Sequence, residues 1–477
     1  MVSHLARFIN TSMDAKGKET MQIMYHRCCG IDVHKKMIVA CLLIISAQGV
    51  QKEIQTFSTM VPDLLRLRDW LKAQHCEAVA MESTGVYWKC IWNVLEGEME
   101  LLLCNAQHIK AVPGRKTDIK DAEWIADLLH HGLLRASFVP LRPQRELRDL
   151  TRYRSSLAAD RARLVNRIQK TLEDTNIKLA SVATDITGKS GRAILEAMLH
   201  GEQDPEKLAE LAQGRMKEKR AQLVQALQGT LGDHHRFLLE SQLRQLDFLT
   251  LQLREIDQEI AHRLGLPSDP DAPSPTDSTG SLPAKEEIIA HPPETPEGSP
   301  SACVQPDSPQ SLSSAEAIRI LDEVPGINVR VGAIVVAELG LEMARFPDEA
   351  HLTSWVGLCP AAKISANKRL STKTGKGNRW LRQALIEGAN AAARSKGTFL
   401  AAYYQRLRKR MGHKKAIVAL AHRLLVIIYH LLKEQQSYRE LGPDHVNEKA
   451  AEVARRRALR TLEQLGYDVT LQPTEVA

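Results

Sequence analysis

None of the eight cysteines forms a CxxC pair, so the usual spacings of zinc fingers and dithiol redox sites are excluded. Cys28 and Cys29 are adjacent and lead into an apolar run, where they read as small buried residues in a reducing cytoplasm. The first 25 residues carry Asp14, Lys16, Lys18 and Glu19 and lack the apolar core of a secretory signal. Nowhere do about 18 apolar residues run together, so no membrane span is expected. An overwhelming charge of one sign is also missing. A net charge of +7 and a pI near 8.9 are only mildly basic, so the distribution of charge matters more than its sum.

That distribution is uneven. From Leu358 to Lys415 there are 15 Lys and Arg against one acid, Glu387, a dense positive field suited to a polyanion. Eleven of the 21 prolines lie between Pro267 and Pro309, with eight acids and one lysine, too little apolar area for a packed core. This acidic Pro/Ser stretch is expected to be a disordered linker. The 477 residues leave room for two or three domains around it.

Periodicity gives the front part an α/β character. Residues 28 to 46 read as two strands around a polar turn at His34 to Lys36, and VQKEIQTF (50 to 57) alternates as a half-exposed third strand. VPDLLRLRDWLKAQ reads as an amphipathic helix, EAVAME as a short buried strand ending at Glu82, and ELLLC as a fifth strand. DIKDAEWIADLLHH is helical by its apolar spacing, and it places Asp118 and Asp121 on one face. Asp32 near the end of the first strand, Glu82 at the end of another and this acidic pair form an all-oxygen set. Such ligands suit Mg²⁺, with Mn²⁺ able to substitute, and paired metals can clamp both oxygens of a reacting phosphodiester. Taken one at a time, each acid reads more readily as a cap or a surface charge, and it is the four in this order that point to a metal site. Asp127, further along the helix, is expected to face solvent.

Residues 141 to 180 and 205 to 265 are charged and Leu-rich at helical spacing, which suggests paired antiparallel helices or a coiled coil serving assembly, or a solvated spacer. VPGINVRVGAIVVAELG resembles a helix-hairpin-helix whose second helix could hold phosphate at its amides, although a plain helical turn explains it too. Beyond it, Gly, Ser, Thr, Lys and Arg crowd a loop that leads into an Arg-studded helix. Lys116, Lys363, Lys368, Arg369, Lys373, Lys376, Arg379 and Arg382 are the candidate nucleic-acid contacts. Tyr87 and Trp88 read as packing or strand-contact residues. His422, Arg423 and Tyr429 imitate a tyrosine-recombinase set but sit on an apolar helix, where core packing is the better reading.

The segments GIDVHKK, ESTGVYW, GRKTDIKDA, VPGI, WVGLCPAAKIS and KTGKGNRWLRQAL resemble, in order, those of the DEDD-type insertion-sequence transposases, also described as bridge-RNA recombinases. The resemblance covers residues 28 to 180 and 315 to 435. It implies an RNase H/RuvC-like domain (28–140), a helical coiled-coil assembly region (141–265) and a mainly α transposase domain (315–435), which leaves an N-terminal extension (1–27), the linker (266–314), whose length and acidity are unusual for the family, and a C-terminal tail (436–477). It also implies a cytoplasmic enzyme, nucleoid-associated when bound to DNA, that recombines donor and target DNA through a noncoding RNA encoded by the element. An even-numbered homo-oligomer, dimer or tetramer, would carry the two duplexes.

The resemblance further implies a catalytic serine a few residues after a Leu-x-Pro turn, which falls on Ser365. Ala366 and Asn367 follow where the family has glycines, and Ser371 and Thr372 are close enough to compete. Two other classes remain: a Holliday-junction or RNase H-type nuclease using metal-activated water, and a nonenzymatic nucleic-acid binder.

Overall fold

The structure, a computed structural model, describes residues 12–13, 19–20, 24–46, 49–105, 118–267, 312–360, 363–365, 368–371 and 374–468. The backbone of the helix Asp118–His130 and that of the helix Asp444–Gln464 are described throughout, but their side chains only from 121 and outside 446–454. Two compact units divide the chain after Pro140.

The first unit is built on β1 (Arg27–Val33), β2 (Met37–Ser46), β3 (Gly49–Ser58), β4 (Ala78–Glu82) and β5 (Glu100–Cys104). They form one sheet in the order β3-β2-β1-β4-β5, antiparallel from β3 to β1 and parallel from β1 to β5. Strand composition matches position. MIVACLLIIS on β2 is buried on both faces through most of its length, whereas β3, at the edge, exposes most of its first eight residues. One sheet face takes Leu64, Leu67 and Leu71 of α1 (Val61–Ala73) with Ile91 and Leu95 of α2 (Trp88–Leu95). The other takes Ala122, Ile125, Ala126 and Leu129 of α3 (Asp118–His130). Each fully buried Leu or Ile contributes about 1.5–3 kcal/mol. Cys28 and Cys29 are buried within these layers as expected, and burial pushes the Cys28 thiol up to about 12, which keeps it inert as a nucleophile.

The second unit opens with α4 (Arg142–Asp174). It lies antiparallel to α8 (Asp233–Arg263), as the contacts Glu146–Arg263, Arg154–Asp257, Thr171–Gln242 and Asp174–His235 record. Between them the chain folds α5 (Lys189–Leu199), α6 (Pro205–Glu210) and α7 (Arg220–Ala226) onto the same apolar seam. Residues 268–311 of the expected linker lie outside the described residues. The described chain resumes before α9 (Ser314–Asp322), which begins with a capping box between Ser313 and Glu316.

Next come α10 (Val329–Leu339), α11 (Glu349–Val356), a hairpin of β6 (Lys363–Ser365) and β7 (Lys368–Ser371), α12 (Arg379–Ala392), α13 (Phe399–Met411), α14 (His413–Glu434) and α15 (Asp444–Gln464). The segment expected to be a loop thus contains two short strands, too brief to leave a periodic signal. Among the described residues α14 alone is long and apolar enough to cross a membrane, yet half of that stretch is buried in the fold. Tyr429 is 1% exposed and its hydroxyl donates to the Phe346 carbonyl at 3.2 Å, so it belongs to the core, with His422 and Arg423 half-buried on the same helix.

Glu338 on α10 is fully buried and would be costly alone. Arg152 grips both its oxygens at 2.7 and 2.8 Å, Asn378 donates to Oε2 at 2.7 Å, and Arg148 stands 3.5 Å away. Arg148 also donates to the Ala337 carbonyl at 2.8 Å and to the Glu338 carbonyl, and burial lowers its guanidinium to about 10. One carboxylate therefore ties α4, α10 and the start of α12 together. Glu338→Ala leaves two guanidinium groups without their buried partner and is expected to destabilise the second unit by about 3–5 kcal/mol. Urea denaturation of the full chain measures this, with Glu338→Gln expected to lose less because it keeps an acceptor.

Candidate active site

The front carboxylates owe their positions to the sheet. Register pairs Ile31 with Met81 across parallel β1 and β4, so Asp32 and Glu82 follow at one level on neighbouring strands about 4.8 Å apart. Strand alternation turns both toward the face covered by α3, the face of Cys28, Ala78 and Ala80. Helix α3 reaches that face because β1 has a glycine in its centre. A Cβ on Gly30 would meet the Ala122 carbonyl oxygen and the Ala126 nitrogen, each at 2.3 Å, so only glycine allows the helix to sit directly on the strand. Asp121 is the residue before Ala122, and Asp118 opens the same helix.

Asp32 is 7% exposed. Burial raises its carboxyl above the usual range, and the charge of Asp121 raises it further; His34, whose Nε2 lies 2.9 Å from Oδ2, works in the opposite direction. A desolvated carboxylate with a like charge beside it is a place where a cation is favoured. The donors are all oxygen, which fits a hard divalent ion such as Mg²⁺. Among the described side chains no three His, Cys, Asp or Glu groups already close on one point, and the Asp118 side chain lies outside them. The backbone supplies level and face; carboxylate rotamers would have to complete the set. Asp127 is held by Lys52 at 3.3 Å, apart from Asp32.

In the second unit Ser365 ends β6 and pairs with Lys368 across the hairpin, while Ser371 pairs with Lys363 at its other end. The two candidate serines thus occupy opposite ends of one hairpin. The side chains of Lys363, Ser365, Lys368, Arg369 and Ser371 lie outside the described residues, as do Lys116, Thr372 and Lys373 altogether. Lys376 and Arg379 are exposed, and the Arg379 guanidinium lies 4.5 Å over the Trp380 ring.

Arg382 departs from expectation. It is half-buried, and its guanidinium donates to Thr374 Oγ1 at 2.7 Å and to the Gly357 and Gly375 carbonyls at 3.2 and 3.4 Å. These contacts make it a brace for the loop rather than a free phosphate ligand. The loop is pressed so tightly against the WVGLCP turn that a Cβ on Gly377 would meet the Val356 carbonyl at 2.3 Å. Sequence reasoning missed Gly30, His34, Glu338 and Asn378. A glycine inside an apolar strand was the signal available for the first.

Asp32→Asn keeps the hydrogen-bonding shape but removes a buried charge facing another. Without divalent metal it is expected to stabilise the first unit by about 1 kcal/mol, as relief of a strained functional site does. Added Mg²⁺ should raise the wild-type melting temperature, by about 2.7 kcal/mol of stability at a hundredfold excess over Kd, and leave the variant unmoved. Thermal melts with and without Mg²⁺ read both effects.

Two sequence models match the chain: that of the DEDD-type IS110 transposase domain over residues 29–177, and that of the transposase IS116/IS110/IS902 family over residues 318–405. An uncharacterized 44.8 kDa protein of insertion element IS116 from Streptomyces clavuligerus is 25% identical over 364 residues, covering 72% of this chain and 81% of that protein. The transposase for insertion sequence element IS1111A from Coxiella burnetii is 32% identical over 123 residues, 25% of this chain and 34% of its own. Among solved structures, T. thermophilus RuvC in complex with a Holliday junction substrate matches at 12% identity over 23% of this chain and 99% of its own, with a TM-score of 0.19, a value that carries no weight for fold or activity. In order along the chain, residues 29–177 match the DEDD-type IS110 transposase domain and residues 318–405 the IS116/IS110/IS902 transposase domain, and its relatives are insertion-element proteins.

Proposed function

We propose that the protein cleaves and rejoins DNA strands at the ends of an insertion sequence, with Asp32, Glu82, Asp118 and Asp121 as ligands of Mg²⁺ or Mn²⁺ and Ser365 as nucleophile. The observation that carries this reading is the seating of α3 on Gly30, which brings the acidic helix onto the face and edge shared by Asp32 and Glu82. When bound, the metal would polarise the scissile phosphate and offset charge gathering on its oxygens. His34 holds Asp32 and limits its rotamers. Ser365 Oγ would bond to phosphorus as the bond from phosphorus to one deoxyribose oxygen breaks; the serine proton passes to solvent or a nearby base, and a DNA hydroxyl is left. Reversal of that step by another strand's hydroxyl would rejoin DNA without an external energy source.

Exposed Lys376 and Arg379 offer the backbone contacts that such a substrate needs. The family resemblance adds an element-encoded bridge RNA whose pairing selects donor and target, leaving the protein to read shape and backbone. Homo-oligomerisation has support in α8, which leaves Phe237, Phe248 and Leu251 exposed at 65%, 58% and 42% along one face. A cytoplasmic site of action follows from the same reading.

The decisive test is capture of an SDS-stable protein–DNA adduct in Mg²⁺. Wild type should form it, and Ser365→Ala should form none while retaining DNA binding, with strand exchange reduced on the order of 10³-fold or more. Cleavage without an adduct would instead support metal-activated water, and an adduct mapped by mass spectrometry to Ser371 would move the nucleophile to the other end of the hairpin.

A further inference from the structure

The last described helix lies beyond both regions matched by the family. Its root is fixed. Glu440 accepts from the Phe399 amide at 2.8 Å and the Gly442 amide at 2.9 Å, Tyr438 donates its amide to Glu323 at 2.9 Å, and the His445 ring stands 5.8 Å from Phe399. From that base α15 runs to Gln464, and from Arg455 to Asp468 every residue but Leu459 is exposed. A helix end so little covered gains little stability from its own chain. From Arg455 to the helix end the charge is mostly positive, with Arg455, Arg456, Arg457 and Arg460 against Glu463, whereas the first half carries Asp444, Glu448 and Glu452.

We propose that this half of α15 is a second DNA-binding element, which lies in the major groove of duplex DNA and holds its phosphates with Arg455, Arg457 and Arg460. An α-helix with side chains is about 10–12 Å across, the width of the B-DNA major groove at about 12 Å. The exposed half of α15, from Arg455 on, can enter that groove, whereas the narrow major groove of an RNA duplex would exclude it. Arginine forks match phosphate oxygens from either wall. The leucines at 459, 462 and 465 do not continue a heptad, which favours a polyanion over a second copy of the helix. The inference rests on the reading of the protein as a DNA-cleaving transposase and places its duplex contact outside the catalytic domains.

The test uses the full chain and a fluorescent 30-base-pair DNA duplex of arbitrary sequence (about three helical turns), titrated at several salt concentrations. The triple variant Arg455→Ala/Arg457→Ala/Arg460→Ala should flatten the slope of log affinity against log salt by about 2–3, at roughly 0.9 per lost phosphate contact. The matching Arg→Lys variant should restore that slope, which separates lost contact from lost folding. An RNA duplex of the same length should show no change of slope between wild type and variant. An unaltered DNA slope in the Ala variant overturns the inference alone, and so does an equal loss on the RNA duplex or a changed oligomeric state without loss of slope. Wild-type protein that binds no DNA overturns both this inference and the proposed function.

Discussion

A missing side chain organises the front of this protein. Gly30 lies in the middle of β1, and α3 descends onto it until backbone meets backbone. Any Cβ there would push the helix outward, and Asp121 is the residue immediately before the contact. The same strand carries Asp32, two residues along and on the same face, at the level of Glu82 on its parallel neighbour. Close helix–sheet packing and the approach of Asp121 to Asp32 are thus one constraint. Its cost is visible at Asp32, whose ionisation is opposed by burial and by Asp121. A protein selected only for stability would relieve that strain with an amide.

The second unit uses the opposite device. There a single buried charge, Glu338, is fully enclosed and satisfied by Arg152, Asn378 and Arg148. Asn378 also caps α12, accepting from the Trp380 and Leu381 amides at 3.1 and 3.2 Å. The carboxylate therefore fixes the start of the helix into which the basic loop leads. Gly377, pressed against Val356 beside that cap, and Arg382, bonded to Thr374 and Gly375, clamp the residues just before it. A buried ion network of this kind contributes specificity of arrangement more than net stability.

Much of the front domain was legible because strand and helix periods differ and because alternation at β3 marks an edge. The four acids were readable as residues, and the sheet register explains why Asp32 and Glu82 stand level. What the sequence hides is long-range. Glu338 looks like an ordinary helix glutamate until Arg148 and Arg152, nearly two hundred positions earlier, are brought to it. Arg382 looks like one more cation in a basic stretch, and only the fold shows its guanidinium turned inward. The hairpin around Ser365 is too short to carry a period, and α15 lies in what composition presents as a tail.

The central claim is that these front carboxylates form one divalent-metal site. Crystals of the full chain grown with Mn²⁺ test it most directly, through anomalous diffraction at the manganese edge. The account predicts a peak at the ends of β1 and β4, coordinated by Asp32 and Glu82 with oxygens from Asp118 or Asp121. A peak coordinated elsewhere, with Asp32 and Glu82 facing no metal at saturating Mn²⁺, would contradict it.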